Sequence, residues 1–386
     1  MRLLWCLLLL ATSLYRAEAE QSGCPETEAG QRVAEVAELS RIDGETPYLF
    51  RKQDRTACPG GDDKSCASPL SWYWNNFCSF EQSTGGGWAA YMICDEARQQ
   101  SIVKYLRERG VAGFEGILNF SPCDLWPLIR GRTLWIVGDS HSYDLFHALA
   151  CFLVQLYDHD YSQEFPYARE AEAFAHLEQH VEHYKPPECL PLLEGTMLCQ
   201  IRVNRGQMVR EHTLPLLQRM ARPTDIAVVN FAHWHNGWEG HEYSDLLHAF
   251  RDHVTAHADE LPHIVWKQMV PTHYKHLHGA YKGGTPPFEC APLGVQLQPD
   301  GSLAPTDELS QLMLEGGAHN KAAMEAFAGT DIMMTHSWNA TAELYEYHRE
   351  LDGRGHECGH YCFPGVPEMW IYYVYEAIRD ASWKNF

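Results

Sequence analysis

From Arg132 to the end of the sequence, short apolar runs alternate with longer segments that carry apolar residues at helical spacing. The strand candidates are TLWIVGD, MLCQIRV, DIAVVNF, HIVWKQMV and DIMMT. The helix candidates are SYDLFHALACFLVQLY, VREHTLPLLQRMA, YSDLLHAFRDHVTAHA and PEMWIYYVYEAIRDA. Strands separated by helices predict an α/β fold, a three-layer sandwich with a parallel sheet between two layers of helices. In such a sheet, reactive residues lie beyond the carboxyl ends of the strands.

Residues 20–125 have a different composition, with turn-forming stretches such as CPGGDDKSC and STGGGW and little regular periodicity. This pattern predicts a disulfide-rich, irregular N-terminal lobe, followed by the α/β domain over residues 126–386. Within that domain, residues 158–195 and 272–305 are long enough to be extended loops, which are usually functional or disordered.

The first 19 residues place Arg2 before an apolar run, with small residues at Ala17 and Ala19. This layout predicts a secretory signal peptide over residues 1–19, and an uncleaved anchor is the alternative. The run is shorter than the about 20 apolar residues of a membrane-spanning helix, and no later segment is long enough. We therefore expect no stable membrane span in the mature protein.

Twelve cysteines remain after Cys6 of the signal segment is set aside, and an even number in a secreted chain predicts disulfides. The glycosylation sequons at Asn119 and Asn339 fit the same compartment. A net charge of -21 disfavours nucleic acid and anionic membrane surfaces as partners. The 12 Trp and 19 Tyr residues suit sugar stacking as well as core packing.

VGDSHSYD places Ser140 at the end of a predicted strand and the start of a predicted helix. A serine at this point is exposed, and the backbone amides around Gly138, Asp139 and Ser140 point toward it with the positive end of the helix dipole. These features suit a nucleophile beside an oxyanion site. The alternative is that Ser140 only caps the helix.

HECGHYC, residues 356–362, allows three interpretations. An extended strand would place His356, Cys358, His360 and Cys362 on one face, as a zinc site requires. The two cysteines are alternatively half-cystines that brace a loop. In the third interpretation His360 is a catalytic base oriented by Glu357, with Asp352 as the reserve acid. The even cysteine count favours disulfides, so we expect no metal here.

VVNFAHWHN, residues 228–236, ends a third predicted strand. The Asn230 side-chain amide is placed to donate a second hydrogen bond to an oxyanion, and His233 to line a substrate site. The alternatives are a turn asparagine and a structural histidine.

Together VGDSHS, NFAHWHN, WKQMVPTHY and ECGHYCFPGVPEMW resemble, in order and spacing, the PC-esterase family of the GDSL/SGNH serine esterase superfamily. The likeness runs from Cys123 to Phe386 and is greatest to the plant trichome-birefringence-like polysaccharide O-acetyltransferases. It implies an SGNH-like catalytic domain with Ser140 as nucleophile and His360 as base. The family's last motif has Asp where this chain has Glu357, and His141 stands where the plant proteins usually have an apolar residue.

The resemblance implies acetyl transfer to polysaccharide or glycan hydroxyls through an acyl-serine intermediate, in the Golgi lumen or outside the cell. It implies no bound cofactor, only an acetyl donor as co-substrate. The alternatives are a secreted carbohydrate acetylesterase, which shares the triad and transfers the acyl group to water, and a non-catalytic glycan-binding descendant. The polysaccharide, the donor and the oligomeric state do not follow from the sequence.

Overall fold

The computed structural model describes residues 23–44, 46–51, 78, 92–110, 112–235, 240–275, 288–308, 310–314, 316–351 and 355–383. The predicted signal peptide, Cys58, Cys66 and the reserve acid Asp352 lie outside these residues. None of the helices in the described ranges is both long enough and apolar enough to span a bilayer.

A mostly parallel sheet of six strands forms the centre of the fold, in the order β2-β3-β1-β4-β5-β8. The strands are β1 (Thr133–Gly138), β2 (Lys185–Leu192), β3 (Thr196–Arg202), β4 (Ile226–Asn230), β5 (His263–Trp266) and β8 (Met333–Met334). All neighbouring pairs are parallel except β2, which runs antiparallel to β3 at the edge. The predicted α/β fold with a parallel sheet is confirmed, and the carboxyl ends of β1, β4 and β5 share one edge.

Alternate residues of each strand enter two separate hydrophobic cores. On β1, Leu134 and Ile136 enter one core, while Trp135 and Val137 enter the other. β4 divides in the same way, with Ile226 and Val228 on the first side. Because successive side chains of a strand point to opposite faces, this division places helices on both faces of the sheet.

Helices α4 (Pro122–Ile129), α5 (Ser140–Phe152) and α12 (Val366–Asp380) pack on the first face. Helices α6 (Ala171–His180), α7 (Leu214–Met220), α8 (Gly240–Ala256) and α10 (Gly317–Phe327) contribute to the core on the second face. Two short helices, α9 (Gln311–Leu314) and α11 (Trp338–Thr341), belong to a third, small hydrophobic cluster with Val295 and Leu303. The nucleophile candidate thus begins a helix that is buried against the sheet.

The described part of the N-terminal lobe is helical, which the irregular pattern of residues 20–125 did not predict. It contains α1 (Glu28–Asp43), α2 (Glu96–Arg109) and α3 (Ala112–Asn119). Thr27 caps α1 by accepting a hydrogen bond from the Gly30 amide at 3.1 Å, and Asp95 caps α2 in the same way. Their buried residues join the first core, where the lobe covers α5 and α12.

Two antiparallel hairpins lie outside the main sheet. One joins β9 (His348–Leu351) and β10 (Gly355–Tyr361), and the other joins β6 (Val295–Leu297) and β7 (Leu303–Pro305). β6, β7, α6 and β2 all fall inside the two segments that the sequence analysis considered as long loops. The β9–β10 hairpin carries the candidate base His360 toward the edge of the sheet where Ser140 lies.

Within the part of the chain that the structure describes, ten cysteines form five disulfides. The pairs are Cys24–Cys123, Cys78–Cys151, Cys94–Cys362, Cys189–Cys199 and Cys290–Cys358. This result confirms the prediction of a disulfide-rich chain and fits an oxidising compartment. Two of the five bonds end on or next to β10.

Candidate active site

Ser140 is the first residue of α5, at the point where β1 leaves the sheet. The Asp139 side chain caps the helix by accepting a hydrogen bond from the His141 amide at 3.0 Å. Asp139, and not Ser140, is therefore the capping residue. The Ser140 hydroxyl is half-buried and available for another partner.

Gly138 allows β1 and β4 to approach closely just before the nucleophile. It has φ +148°, and a Cβ atom there would lie 2.0 Å from the Asn230 carbonyl oxygen and 2.5 Å from Ser142 Oγ. A side chain at this position would therefore push apart the strand ends that carry Ser140 and Asn230. Of the predicted site residues, Gly138 contributes space rather than a functional group.

Ser140, His360 and Glu357 form a continuous chain of hydrogen bonds. The Ser140 hydroxyl lies 2.6 Å from His360 Nε2. The other ring nitrogen, Nδ1, is hydrogen-bonded to Glu357 Oε1. With Nδ1–H donating to the carboxylate, Nε2 is the acceptor that can take the serine proton. The sequence-predicted trio therefore has the connectivity of a serine–histidine–acid triad.

Arg349 holds Glu357 from the opposite side. Its Nε donates to Glu357 Oε2 at 2.6 Å, and the Arg349 side chain is only 6% exposed. Burial raises the pKa of Glu357, but the hydrogen bonds and charges of His360 and Arg349 outweigh this and hold its pKa well below the usual range. Glu357 therefore stays ionised and both of its oxygens are fixed, although it is one methylene longer than Asp.

The cysteines of HECGHYC form disulfides. Cys358 is bonded to Cys290 and Cys362 to Cys94, so neither sulfur is free to bind zinc. The two bonds flank His360 on β10. Of the three interpretations of this stretch, the structure combines a braced loop with a histidine that faces Ser140.

Two further histidines surround His360. The His141 ring stacks on the His360 ring, with centroids 4.5 Å apart and an interplanar angle of 18°. His233 meets the edge of His141 at 4.7 Å. Burial lowers the pKa of His233 to about 4 and that of His141 well below its usual range, so both are neutral near pH 7. His141 and His233 are therefore uncharged aromatic neighbours of His360.

Asn230 lies at the carboxyl end of β4, one strand away from Ser140. Its Nδ2 donates to the Lys267 carbonyl at 2.6 Å, and its Oδ1 accepts from the Ala232 amide at 3.0 Å. An asparagine amide carries two N–H groups, so one donor is used to fix the side chain. The second N–H has no partner among the contacts given for the described residues.

The donor atoms of His141, Asp144 and His360 lie within 4.8 Å of one another. Both His360 nitrogens are already engaged, and two stacked rings direct their in-plane lone pairs side by side rather than at one point. We therefore assign no metal ligand here. Asp144 is buried, and its pKa is raised by that burial.

Sequence reasoning missed four buried polar residues around the site: Lys267, His273, His348 and Arg349. Lys267 follows β5, its ammonium lies 4.0 Å above the Trp370 ring, and burial lowers its pKa to about 8. Lys267 lay inside the predicted strand HIVWKQMV, and both Lys267 and His273 lie in WKQMVPTHY, but neither was predicted as a site residue. His348 and Arg349 lie in a segment without strong periodicity and outside the quoted motifs, so no pattern indicated them.

A cavity of about 330 Å³ opens beside the β9–β10 hairpin. Its lining residues are Arg98, Ser101, Cys290, Tyr345, Glu346, Tyr347 and His356. Neither Ser140 nor His360 lines it, so the reacting atoms of the triad lie outside this cavity.

Comparison with known proteins gives no relative from which a function can be transferred. No protein-family model matches the chain, and no curated protein matches it.

Proposed function

We propose that this protein is a serine-dependent O-acyltransferase that moves an acetyl group from a donor ester to a hydroxyl of a polysaccharide or glycan. The observation that carries this proposal is the hydrogen-bonded chain Ser140–His360–Glu357. The resemblance of the surrounding motifs to PC-esterases and trichome-birefringence-like O-acetyltransferases supports the substrate class. The five disulfides and the predicted signal peptide fit a secretory-pathway location, in the Golgi lumen or outside the cell.

In the first half-reaction, Ser140 Oγ attacks the carbonyl carbon of the donor while His360 Nε2 takes the hydroxyl proton. Glu357 accepts the Nδ1–H bond throughout and stabilises the imidazolium that forms. The bond between the carbonyl carbon and the donor oxygen then breaks, and His360 returns the proton to the departing oxygen. The products are the acyl-serine and the donor alcohol.

In the second half-reaction, a glycan hydroxyl attacks the acyl-serine and His360 takes its proton. Collapse of the intermediate breaks the bond to Ser140 Oγ, and the proton returns to the serine. Water in place of the glycan would give free acetate, which is the acetylesterase alternative. The two activities therefore differ only in acceptor binding and in water exclusion.

The negative oxygen formed in each half-reaction needs hydrogen-bond donors. The Ser140 amide, at the N-terminus of α5, and the second N–H of Asn230 are the donors that we assign. Loss of one such donor typically lowers kcat by about 10²–10³-fold. His233 and His141 keep the surroundings neutral, so the imidazolium and the oxyanion are the charges that change during the reaction.

The test supplies purified protein with an acetyl ester donor, with and without oligosaccharide acceptors, and follows both acetylated glycan and free acetate by mass spectrometry. We expect acceptor-dependent acetylated product, lost by at least about 10³-fold in Ser140→Ala. Ser302→Ala is the matched control, because Ser302 lies in the β6–β7 turn and its hydroxyl bonds only to Asp300 among the contacts described, while its backbone carbonyl, which the substitution keeps, accepts from the Gln298 amide.

Two outcomes would replace the proposal. Acetate release that does not depend on the acceptor would identify an acetylesterase. A folded protein that a serine-directed fluorophosphonate fails to label, and that still binds glycans, would identify a non-catalytic glycan-binding protein.

A further inference from the structure

Two fully buried histidines, His348 and His273, connect the backbone carbonyl of His360 to the backbone carbonyl of Ala342. His348 Nδ1 lies 2.9 Å from the His360 carbonyl oxygen. His348 Nε2 lies 2.8 Å from His273 Nδ1, and His273 Nε2 lies 2.9 Å from the Ala342 carbonyl oxygen. Both side chains are completely buried. Three hydrogen bonds in series therefore run from Ala342 to His360.

The two ends of this series fix the number of protons. A carbonyl oxygen only accepts, so the outer nitrogens, His348 Nδ1 and His273 Nε2, must both carry N–H. The central contact between the two rings needs one further proton on either nitrogen. Three protons on two imidazole rings leave one ring neutral and the other an imidazolium, so the pair carries one positive charge.

Two neutral rings hold only two protons, and one of the three contacts would then place two acceptors face to face at less than 3 Å. Tyr361 does not supply the missing proton. Its hydroxyl donates to the Pro271 carbonyl at 2.8 Å and lies 3.5 Å from His273 Nδ1. Contacts between paired acceptors would repel and open, so this geometry requires the protonated pair.

We propose that His273 and His348 form a singly protonated pair that positions the catalytic histidine by holding the His360 carbonyl. The positioning role rests on the proposed function, whereas the proton count does not. His273 and His348 are positioning residues, since neither touches the reacting atoms.

The groups around the pair act on its charge in both directions. The Tyr361 ring stacks on His348 at 4.2 Å, and the Glu357 carboxylate attracts the charge. A protonated His360 would repel it, and burial disfavours it most, because burial acts to lower the pKa of both rings. The three hydrogen bonds oppose this burial effect.

The remaining charged and aromatic neighbours are paired or distant. Arg98 of α2 donates to the His348 carbonyl at 3.3 Å and is bound to Glu350. Arg349 is bound to Glu357, and Glu343, next to Ala342, is bound to Arg109. The Tyr345 ring centroid lies 6.3 Å from that of His273. The proton on the pair is therefore controlled mainly by burial and by the three hydrogen bonds.

A change in pH affects this pair and the proposed base His360 in opposite ways. As pH rises, the pair loses its proton and one of the three contacts opens, which loosens the hairpin that carries His360. The base itself needs the opposite change, because only neutral His360 accepts the serine proton. We expect an alkaline fall in kcat/KM of about 3- to 10-fold, the effect of one hydrogen bond.

The decisive experiment counts protons without using activity. Neutron diffraction and ¹⁵N-histidine NMR on the inactive Ser140→Ala protein should show three protonated nitrogens out of four on His273 and His348 near pH 6. Two protonated nitrogens throughout pH 5–8, with the same three distances, would overturn the proposal. This readout is unaffected if the proposed acyltransferase activity is wrong.

His273→Gln provides the matched variant. The glutamine amide has two N–H groups, which can serve Ala342 and His348 Nε2 without any positive charge. We expect His348 then to carry one proton and the alkaline fall in kcat/KM to disappear, while activity near pH 6 stays within about threefold. Persistence of that fall in His273→Gln would overturn the positioning role.

Discussion

The two halves of the candidate site are held in place by different means. The sheet arm, residues 133–144, places Ser140 at the end of a fully buried strand that pairs with β3 and β4. The hairpin arm, residues 348–362, places His360 on β10, which pairs with β9 outside the main sheet and has disulfides at Cys358 and Cys362. Main-chain pairing fixes Ser140, whereas two disulfides and the Arg349–Glu357 ion pair fix His360. Apart from Ser140 itself, changes to the hairpin arm should therefore affect the proposed activity more than matched changes to the sheet.

The largest expected effect comes from the acid of the hairpin arm. Glu357→Gln keeps the shape of the side chain but no longer stabilises the imidazolium, so kcat should fall by about 10³–10⁴-fold. Steady-state kinetics measure this loss. The control is Glu350→Gln, an exposed glutamate of the same hairpin that pairs with Arg98, and it should retain activity. Equal losses in both variants would mean that the hairpin is only structural.

Removal of disulfides compares the two arms directly. The hairpin disulfide joins Cys290 to Cys358, which are 68 residues apart in the sequence. The sheet disulfide joins Cys189 to Cys199, which are 10 residues apart on two paired strands. By chain entropy, replacing each pair with serine should cost about 4 and about 3 kcal/mol of unfolding free energy. Only loss of the hairpin bond should also lower kcat, since β2 and β3 stay paired through the main chain. Denaturant unfolding and kinetics together test this, and a greater loss of kcat in the sheet variant would contradict it.

Acid should weaken the hairpin arm through Glu357. Because the folded-state pKa of Glu357 is depressed, its stabilisation is present above the unfolded-state pKa of about 4.3 and is lost as pH falls further. Between pH 4 and 3 the wild type should lose up to about 1.4 kcal/mol more unfolding free energy than Glu357→Gln. Urea denaturation across this range measures the difference. Parallel pH profiles would show that the bonds of Glu357 to His360 and Arg349 do not stabilise the fold.

The smallest expected effect lies at the contact between the arms. His141→Leu removes the ring that stacks on His360, and aromatic pairs contribute about 0.5–1.5 kcal/mol beyond burial. The expected decrease in kcat/KM is therefore about tenfold or less. A decrease beyond about 10³-fold would instead assign a proton-transfer role to His141.

The sheet arm was more predictable from the amino-acid sequence than the hairpin arm, for a physical reason. TLWIVGD and DIAVVNF are central parallel strands, buried on both faces, and such strands are continuous apolar runs. β2 was missed because it is an edge strand that contains Pro186, Pro187 and Pro191, residues otherwise typical of loops.

The trio of Ser140, Glu357 and His360 was also predictable from the sequence, because Glu357 lies only three residues before His360. Arg349 and the His273–His348 pair were not predicted. Their partners are set by how the hairpin folds back on residues 271–274 and by the disulfide partners of Cys358 and Cys362. Cysteine count predicts that bonds form, but it does not predict which cysteines pair.

The Cys94–Cys362 bond joins positions that are 268 residues apart. During synthesis, Cys94 leaves the ribosome long before Cys362 exists, so its thiol must wait or take a temporary partner. The neighbouring Phe363 forms main-chain hydrogen bonds with Met92 and Cys94, and these bonds also cannot form until Phe363 has been synthesised. A nascent chain would therefore hold Ser140 in a nearly complete sheet without His360 beside it, and the proposed triad would form only after Cys362 has been synthesised and oxidised.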